Sequence, residues 1–269
     1  MNTSDVNGAR SLGQTCFDLS GRVAVVIGGS SGLGKAISLG LATHGADVVP
    51  SARRPDATAR VCEQIVRLGS RSLETTVDVT DRASVTNLRD AVLNEFKRID
   101  ILVNAAGVTF RKPTTQISDA EWSDLFNINL KGVLHACQIF HDPLKANGVG
   151  RIVNIASLGS YVAFQEVAAY CASKAAVLSL TRSLAVEWAR DKIRVNAIAP
   201  GVFPTDLNSK LLSGTDRGRE ILLRTPIGRF GDPKEVVGAA VLLASDGASF
   251  ITGQCIAVDG GFLASGVNS

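Results

Sequence analysis

The stretch "RVAVVIGGSSGLG", residues 22–34, decides how the rest of the chain is read. Its first half is an apolar run of strand length, and its second half is rich in glycine. An apolar run that ends in glycines predicts a buried strand entering a tight turn. "GKAISLGLATHG" (34–45) then predicts a helix, with Gly45 as its stop. Strand, glycine turn and helix, in that order, open a βαβ unit.

The same alternation continues outward. Further strands are predicted at 46–54, 71–81, 99–107, 150–157, 193–201 and 253–261. Helices are predicted at 56–68, 82–98, 119–145 with Ser118 as N-cap, 167–190 and 232–245. Strands that alternate with helices imply a parallel sheet covered on both faces. The expected fold is therefore α/β, a single-domain Rossmann-type doubly wound parallel sheet of about seven strands with helices on both faces. Residues 1–15 read as a flexible lead-in, and 16–269 as one domain with no linker or repeat. Residues 203–230 are irregular, and a long segment at that point suits a substrate loop.

Composition removes several classes of function. The 28 basic and 25 acidic residues nearly balance, and no basic run is interleaved with aromatics, so no nucleic-acid partner is expected. Apolar stretches are strand-length, short of the ~20 residues of a membrane span, so no membrane partner is expected. The polar N-terminus does not read as a secretory signal. Five scattered cysteines without a CxxC predict reduced thiols, a cytoplasmic setting and no metal site.

The glycine turn is a candidate cofactor site. Gly28, Ser30, Ser31, Gly32, Leu33 and Gly34 bring backbone N–H groups and a helix N-terminus to one place, which suits a pyrophosphate. A site that prefers NAD carries an acid about 20 residues further on. Here Ala52 ends the second strand, and Arg53 and Arg54 follow. The missing carboxylate and the two guanidinium groups favour a 2′-phosphate, hence NADP(H). The plainer alternative is that Arg53 and Arg54 are solvated loop charges. Asp78, ending the third strand, could accept from an adenine amino group or simply close a turn.

"YCASK" (170–174) places Tyr170 and Lys174 on one helical face. Such a pair alone is ordinary. Ser157, at the end of the fifth strand, changes its meaning, because ligands bind at the carboxyl edge of this kind of sheet.

Together these pieces resemble the short-chain dehydrogenase/reductase family from about Leu19 to Gly261. The resemblance rests on "GGSSGLG", "DVT" (78–80), "NAAG" (104–107), "NIN" ending at Asn129, "NIAS" ending at Ser157, "YCASK" and "PGVFPT" (200–205), in that order. It implies a dinucleotide-binding oxidoreductase with Asn129, Ser157, Tyr170 and Lys174 as catalytic tetrad. It further implies Asp78 and Val79 at the adenine. Asn104, Ala105, Ala106 and Gly107 would line the adenosine side. Pro200, Gly201, Val202 and Thr205 would lie at the nicotinamide, and Tyr170 and Lys174 would touch its ribose. The Lys174 charge is expected to lower the Tyr170 pKa, and Asn129 to hold a proton-relay water. Ile27 departs from the family, which usually has Thr there; packing is expected to replace the lost hydroxyl bond. A homotetramer is likewise what the resemblance implies.

The substrate is expected to be a small-molecule carbonyl or alcohol that meets Ser157, Leu158, Gly159, Phe164, Tyr170 and Phe203, with Val108, Thr109 and Phe110 nearby. These walls are mainly apolar, whereas Arg111 and Lys112 would suit a sugar acid. "RTPIGRFGDPKEVVGAAVLLASDGASFITGQCIAVDGG" is similar to the gluconate 5-dehydrogenase type and is shared with 3-oxoacyl-carrier-protein reductases. A keto-sugar-acid or carbonyl reductase is the first expectation, and a 3-oxoacyl thioester reductase the alternative. A non-catalytic NADP-binding scaffold is the remote one.

Overall fold

The computed structural model describes residues 16–204 and 214–267. The predicted lead-in, 1–15, and Thr205 lie outside the described residues. The strands are β1 (Val23–Ile27), β2 (Asp47–Ala52), β3 (Thr75–Thr76), β4 (Ile101–Asn104), β5 (Gly150–Ile155), β6 (Ile193–Pro200) and β7 (Cys255–Val258). They form one sheet in the order β3-β2-β1-β4-β5-β6-β7, and every pairing is parallel. The helices are α1 (Gly32–Thr43), α2 (Pro55–Arg67), α3 (Arg82–Phe96), α4 (Asp119–Phe126), α5 (Gly132–Ala146), α6 (Ala168–Glu187), α7 (Asp216–Leu223) and α8 (Val237–Ala244).

Side chains alternate across a strand, so a sheet buried on both sides needs apolar residues at every position. β1 meets that demand: Val23, Val25 and Ile27 pack with α3, α5 and α6, and Ala24 and Val26 pack with α1, α2 and α8. The order reverses at β1, which lies between β2 and β4. Helices leave opposite faces there, and a crevice opens at the carboxyl ends of the strands.

The other end of that junction is pinned by Asp100, which is fully buried. Its carboxylate accepts from the Val23 N–H at 2.9 Å and from Arg98 Nε and Nη2 at 2.8 and 2.7 Å. Its backbone N–H donates to Val23 and its carbonyl accepts from Arg151, so one residue ties β1, β4 and β5 together.

Three elements depart from the sequence-based expectation. β3 pairs over two residues only, within a predicted strand of 71–81. The helix expected over 119–145 is broken into α4 and α5 by a π-helical turn, Asn127–Lys131. The segment 203–230, expected to be irregular, carries α7.

Asp100→Ala removes the acceptor of a buried strand N–H and the partner of the Arg98 guanidinium. The expected loss is about 3 kcal/mol in urea unfolding; Asp100→Asn, which keeps one acceptor, should lose less.

Candidate active site

The glycine turn seats on β4 through backbone alone. Gly28 has φ +86°, and a Cβ on it would lie 2.5 Å from the Ala106 nitrogen. A Cβ on Gly34 would lie 2.1 Å from the Gly28 carbonyl oxygen. Neither position accepts a side chain, so the turn must be built from glycine. Ile27 is buried in the core, and its carbonyl accepts from the Ala105 N–H at 2.8 Å. Packing does stand where the family has a hydroxyl. A second tie was not foreseen: the buried Ser38 hydroxyl donates to the Gly34 carbonyl at 2.9 Å and approaches the Gly29 carbonyl at 3.4 Å. A serine one turn after Gly34 in an apolar helix was its only sequence signal.

A cleft of about 600 Å³ runs along the carboxyl edge of the sheet. Gly28, Ser30, Ser31, Gly32, Leu33 and Gly34 line it, with Ala105, Ala106 and Gly107 from the loop after β4. Arg53 and Arg54 line one end, and neither has a side-chain hydrogen bond or ion pair among the described residues. Ser157, Tyr170, Lys174, Pro200, Gly201 and Phe203 line it as well. The glycine cradle, the cleft's size and the two guanidinium groups at its end together fit a dinucleotide.

Several expected contacts lie elsewhere. Asp78 does not line the cleft; Val77 and Val79 do. Its carboxylate accepts from the Thr80 N–H and hydroxyl, and those bonds hold its pKa below the ordinary value. Asn104 sits behind the cleft floor and donates to Asn154 Oδ1 at 2.8 Å. Val202 turns away into an apolar cluster with Leu158, Phe164, Ile221 and Phe262. Leu158 and Gly159 are buried behind Ser157, and the Phe164 ring packs on Phe262 at 5.9 Å. These residues brace the wall that carries Ser157.

The tetrad residues converge. Ser157 lies two residues past β5 and caps the short helical turn Leu158–Ser160, its hydroxyl accepting from the Gly159 N–H at 3.1 Å. Burial pushes the Tyr170 phenol above its ordinary value of 10, and the adjacent Ser157 hydroxyl pulls the other way. The expected lowering by Lys174 is not seen in this structure. The Lys174 ammonium, 5.9 Å from the Tyr170 ring centroid, donates instead to the Ile155 carbonyl at 2.7 Å. Complete burial lowers the Lys174 pKa to about 8.

Asn129 occupies the π-turn and is fully buried. Its Nδ2 donates to the Val108 carbonyl at 2.9 Å and to Ser173 Oγ at 3.1 Å, and its Oδ1 accepts from the Val108 N–H at 2.8 Å. The extra residue of a π-turn aims this one side chain across to α6. Asn129 thereby fixes the loop after β4 against the residue that precedes Lys174. Arg111 and Lys112 already have acidic partners, Glu166 at 2.6 Å and Glu121 at 2.8 Å.

The family model described as enoyl-(acyl carrier protein) reductase matches residues 27–263. The chain belongs to the short-chain dehydrogenase/reductase family and is an oxidoreductase. The 2-dehydro-3-deoxy-D-gluconate 5-dehydrogenases of Dickeya dadantii and Escherichia coli are 40% and 42% identical to it, over 92% and 93% of this chain and 98% of each relative. A crystal structure of a gluconate 5-dehydrogenase from Burkholderia cenocepacia, in complex with NADP and tartrate, is similar at a TM-score of 0.91 and 35% identity, covering 94% of this chain and 100% of the other.

The buried Lys174 ammonium should weaken the cofactor-free protein. Below pH 8 both folded and unfolded chains hold the proton, and only the folded chain buries it. Between about 8 and the ordinary 10.5 the folded chain has released the proton while the unfolded chain keeps it, so stability recovers as pH rises. Lys174→Met should therefore unfold at higher urea than the parent at pH 7, and the gap should close by pH 10.

Proposed function

We propose that this protein catalyses the reversible, NADP(H)-dependent interconversion of a keto-sugar acid and its alcohol. One observation carries the reading: Ser157, Tyr170 and Lys174 line the same cleft as the glycine turn, Arg53 and Arg54. The sugar-acid dehydrogenases named among its relatives support the substrate class, as does the tartrate in the Burkholderia complex.

The residues divide the work by their chemistry. The Gly28–Gly34 turn and the N-terminus of α1 would hold the pyrophosphate. Arg53 and Arg54 would hold the 2′-phosphate, with Val77 and Val79 against the adenine. Ala105 and Gly107 would line the adenosine side, and Pro200 and Gly201 the nicotinamide. The dinucleotide supplies hydride when bound. Tyr170, a phenol protonated at neutral pH and raised further by burial, would give its proton to the carbonyl oxygen. Ser157 donates to the same oxygen and stabilises the charge that develops there. Lys174 would donate to the nicotinamide ribose, and its ammonium would return a proton to the phenolate. Both Asn129 N–H bonds are occupied, but Oδ1 retains a lone pair that can hold a water beside Gly107, where Lys174 also approaches.

The homotetramer implied by the family belongs to this proposal. Trp122, 39% exposed and stacked on Phe126 at 4.8 Å, gives α4 an apolar face of the kind subunit contacts use.

Tyr170→Phe should lower kcat for 5-ketogluconate reduction by about 10²–10⁴-fold, with the NADPH Kd from fluorescence titration unchanged. More than about a tenth of parental turnover would remove Tyr170 from the role of acid. Replacing Arg53 and Arg54 together with Ala should shrink the ratio of kcat/KM for NADPH to that for NADH by at least about tenfold. An unchanged ratio would return both arginines to the status of solvated loop charges.

A further inference from the structure

A second cavity, of about 260 Å³, lies against the part of the cleft wall that Gly201 and Phe203 form. It is bordered by the segment after β6, the loop after α7 and the end of β7. Val202, Phe203, Ile227, Phe230 and Val258 give it apolar walls. Gly201 and Phe203 line both spaces. Glycine has no side chain, so among the described residues Phe203 brings the only side chain common to the two.

The Phe203 ring occupies a fitted slot. Phe203 is 5% exposed. A Cβ on Gly231 would lie 2.3 Å from the ring's Cε1, 2.6 Å from Cδ1 and 2.8 Å from Cζ. The Gly231 backbone is not in the left-handed region, so the glycine supplies room for the ring and not a special conformation. Backbone bonds hold both sides of the slot. The Gly231 N–H donates to the Val202 carbonyl at 3.0 Å, and the Gly201 N–H to the Val258 carbonyl at 2.8 Å.

The polar side chains of the cavity wall are already committed. The Thr225 hydroxyl donates to the Ile221 carbonyl at 2.8 Å. Arg229 meets Glu235 through two bonds of 2.7 Å. The Asp259 carboxylate accepts from the Gly261 and Leu263 N–H groups, each at 2.9 Å. The one cation of this wall is thus cancelled by a carboxylate, and a second carboxylate, Asp259, stands beside it. A sugar acid finds no anchor there. An uncharged apolar group is what such a lining buries favourably.

We propose that this cavity is an apolar side pocket of the substrate site, and that the Phe203 ring keeps it shut. The enzyme therefore takes compact carbonyl substrates and refuses those with a long apolar chain. The inference rests on the keto-sugar-acid reading above, whose compact polar substrate needs the cleft alone.

The test follows NADPH-dependent reduction of straight-chain methyl ketones, from 2-butanone to 2-decanone, beside that of 5-ketogluconate. In the parent, kcat/KM should stop rising within the shortest members of the series. In Phe203→Ala it should go on rising by about fourfold for each methylene that the opened cavity buries. Phe203→Leu, a milder change, should rise part of the way. Ile227 stands at the cavity rim and is 63% exposed. Ile227→Trp added to Phe203→Ala refills the cavity and should cut the gain back. A flat profile in Phe203→Ala, a parent that already prefers the long ketones, or a gain that Ile227→Trp leaves untouched each overturns the proposal. A parent that reduces the short ketones and not 5-ketogluconate fails the keto-sugar-acid reading alone, because the ketone series still reports on the partition. If no ketone is turned over, 1-octanol titrated by calorimetry onto the NADP-loaded proteins decides. Binding at least about tenfold tighter to Phe203→Ala than to the parent supports the side pocket, and equal or absent binding overturns it.

Discussion

The active cleft exists because two backbones touch where side chains are forbidden. The turn after β1 rests on the Ala105–Ala106 peptide, and a Cβ on Gly28 or Gly34 would drive the two apart. That contact sits where strand order reverses, so the helices on either side lead away from it. A tight seat there leaves the backbone N–H groups of α1 facing open space at the sheet edge. Ser38 and the Ile27 carbonyl hold the seat from below. The chemistry further along the cleft takes its origin from this fixed end.

The catalytic end trades stability for position. Lys174 is buried with a backbone carbonyl as its hydrogen-bond acceptor, and that burial lowers its pKa. Asn129 spends both of its N–H groups on holding the loop after β4 and α6 together. The π-turn that carries it interrupts a long helix, a local irregularity tolerated because it aims one side chain. Tyr170 is buried beside the Ser157 hydroxyl, and burial raises its pKa.

The substrate end follows a different rule, that of charge matching. Glu166 and Glu121 neutralise the basic pair that stands beside the cleft in sequence. The segment 164–166 becomes a rigid strap, gripped by the loop after β4 on one side and by α7 on the other.

The alternation of apolar runs and helices by itself determined the doubly wound sheet, because a strand buried on both faces must be apolar at every position, as Val23–Ile27 is. The glycine spacing, Arg53 and Arg54, and the Ser157, Tyr170 and Lys174 set were equally legible, since each sits at a strand end or helix face fixed by local geometry. What the sequence did not reveal depends on pairs distant along the chain. The short β3 and the broken 119–145 helix reflect tertiary contacts overriding local preference. Arg111 meeting Glu166, 55 residues away along the chain, was decided only by the fold. A residue's type tells what it can bind, and only the folded chain decides which partner is nearest.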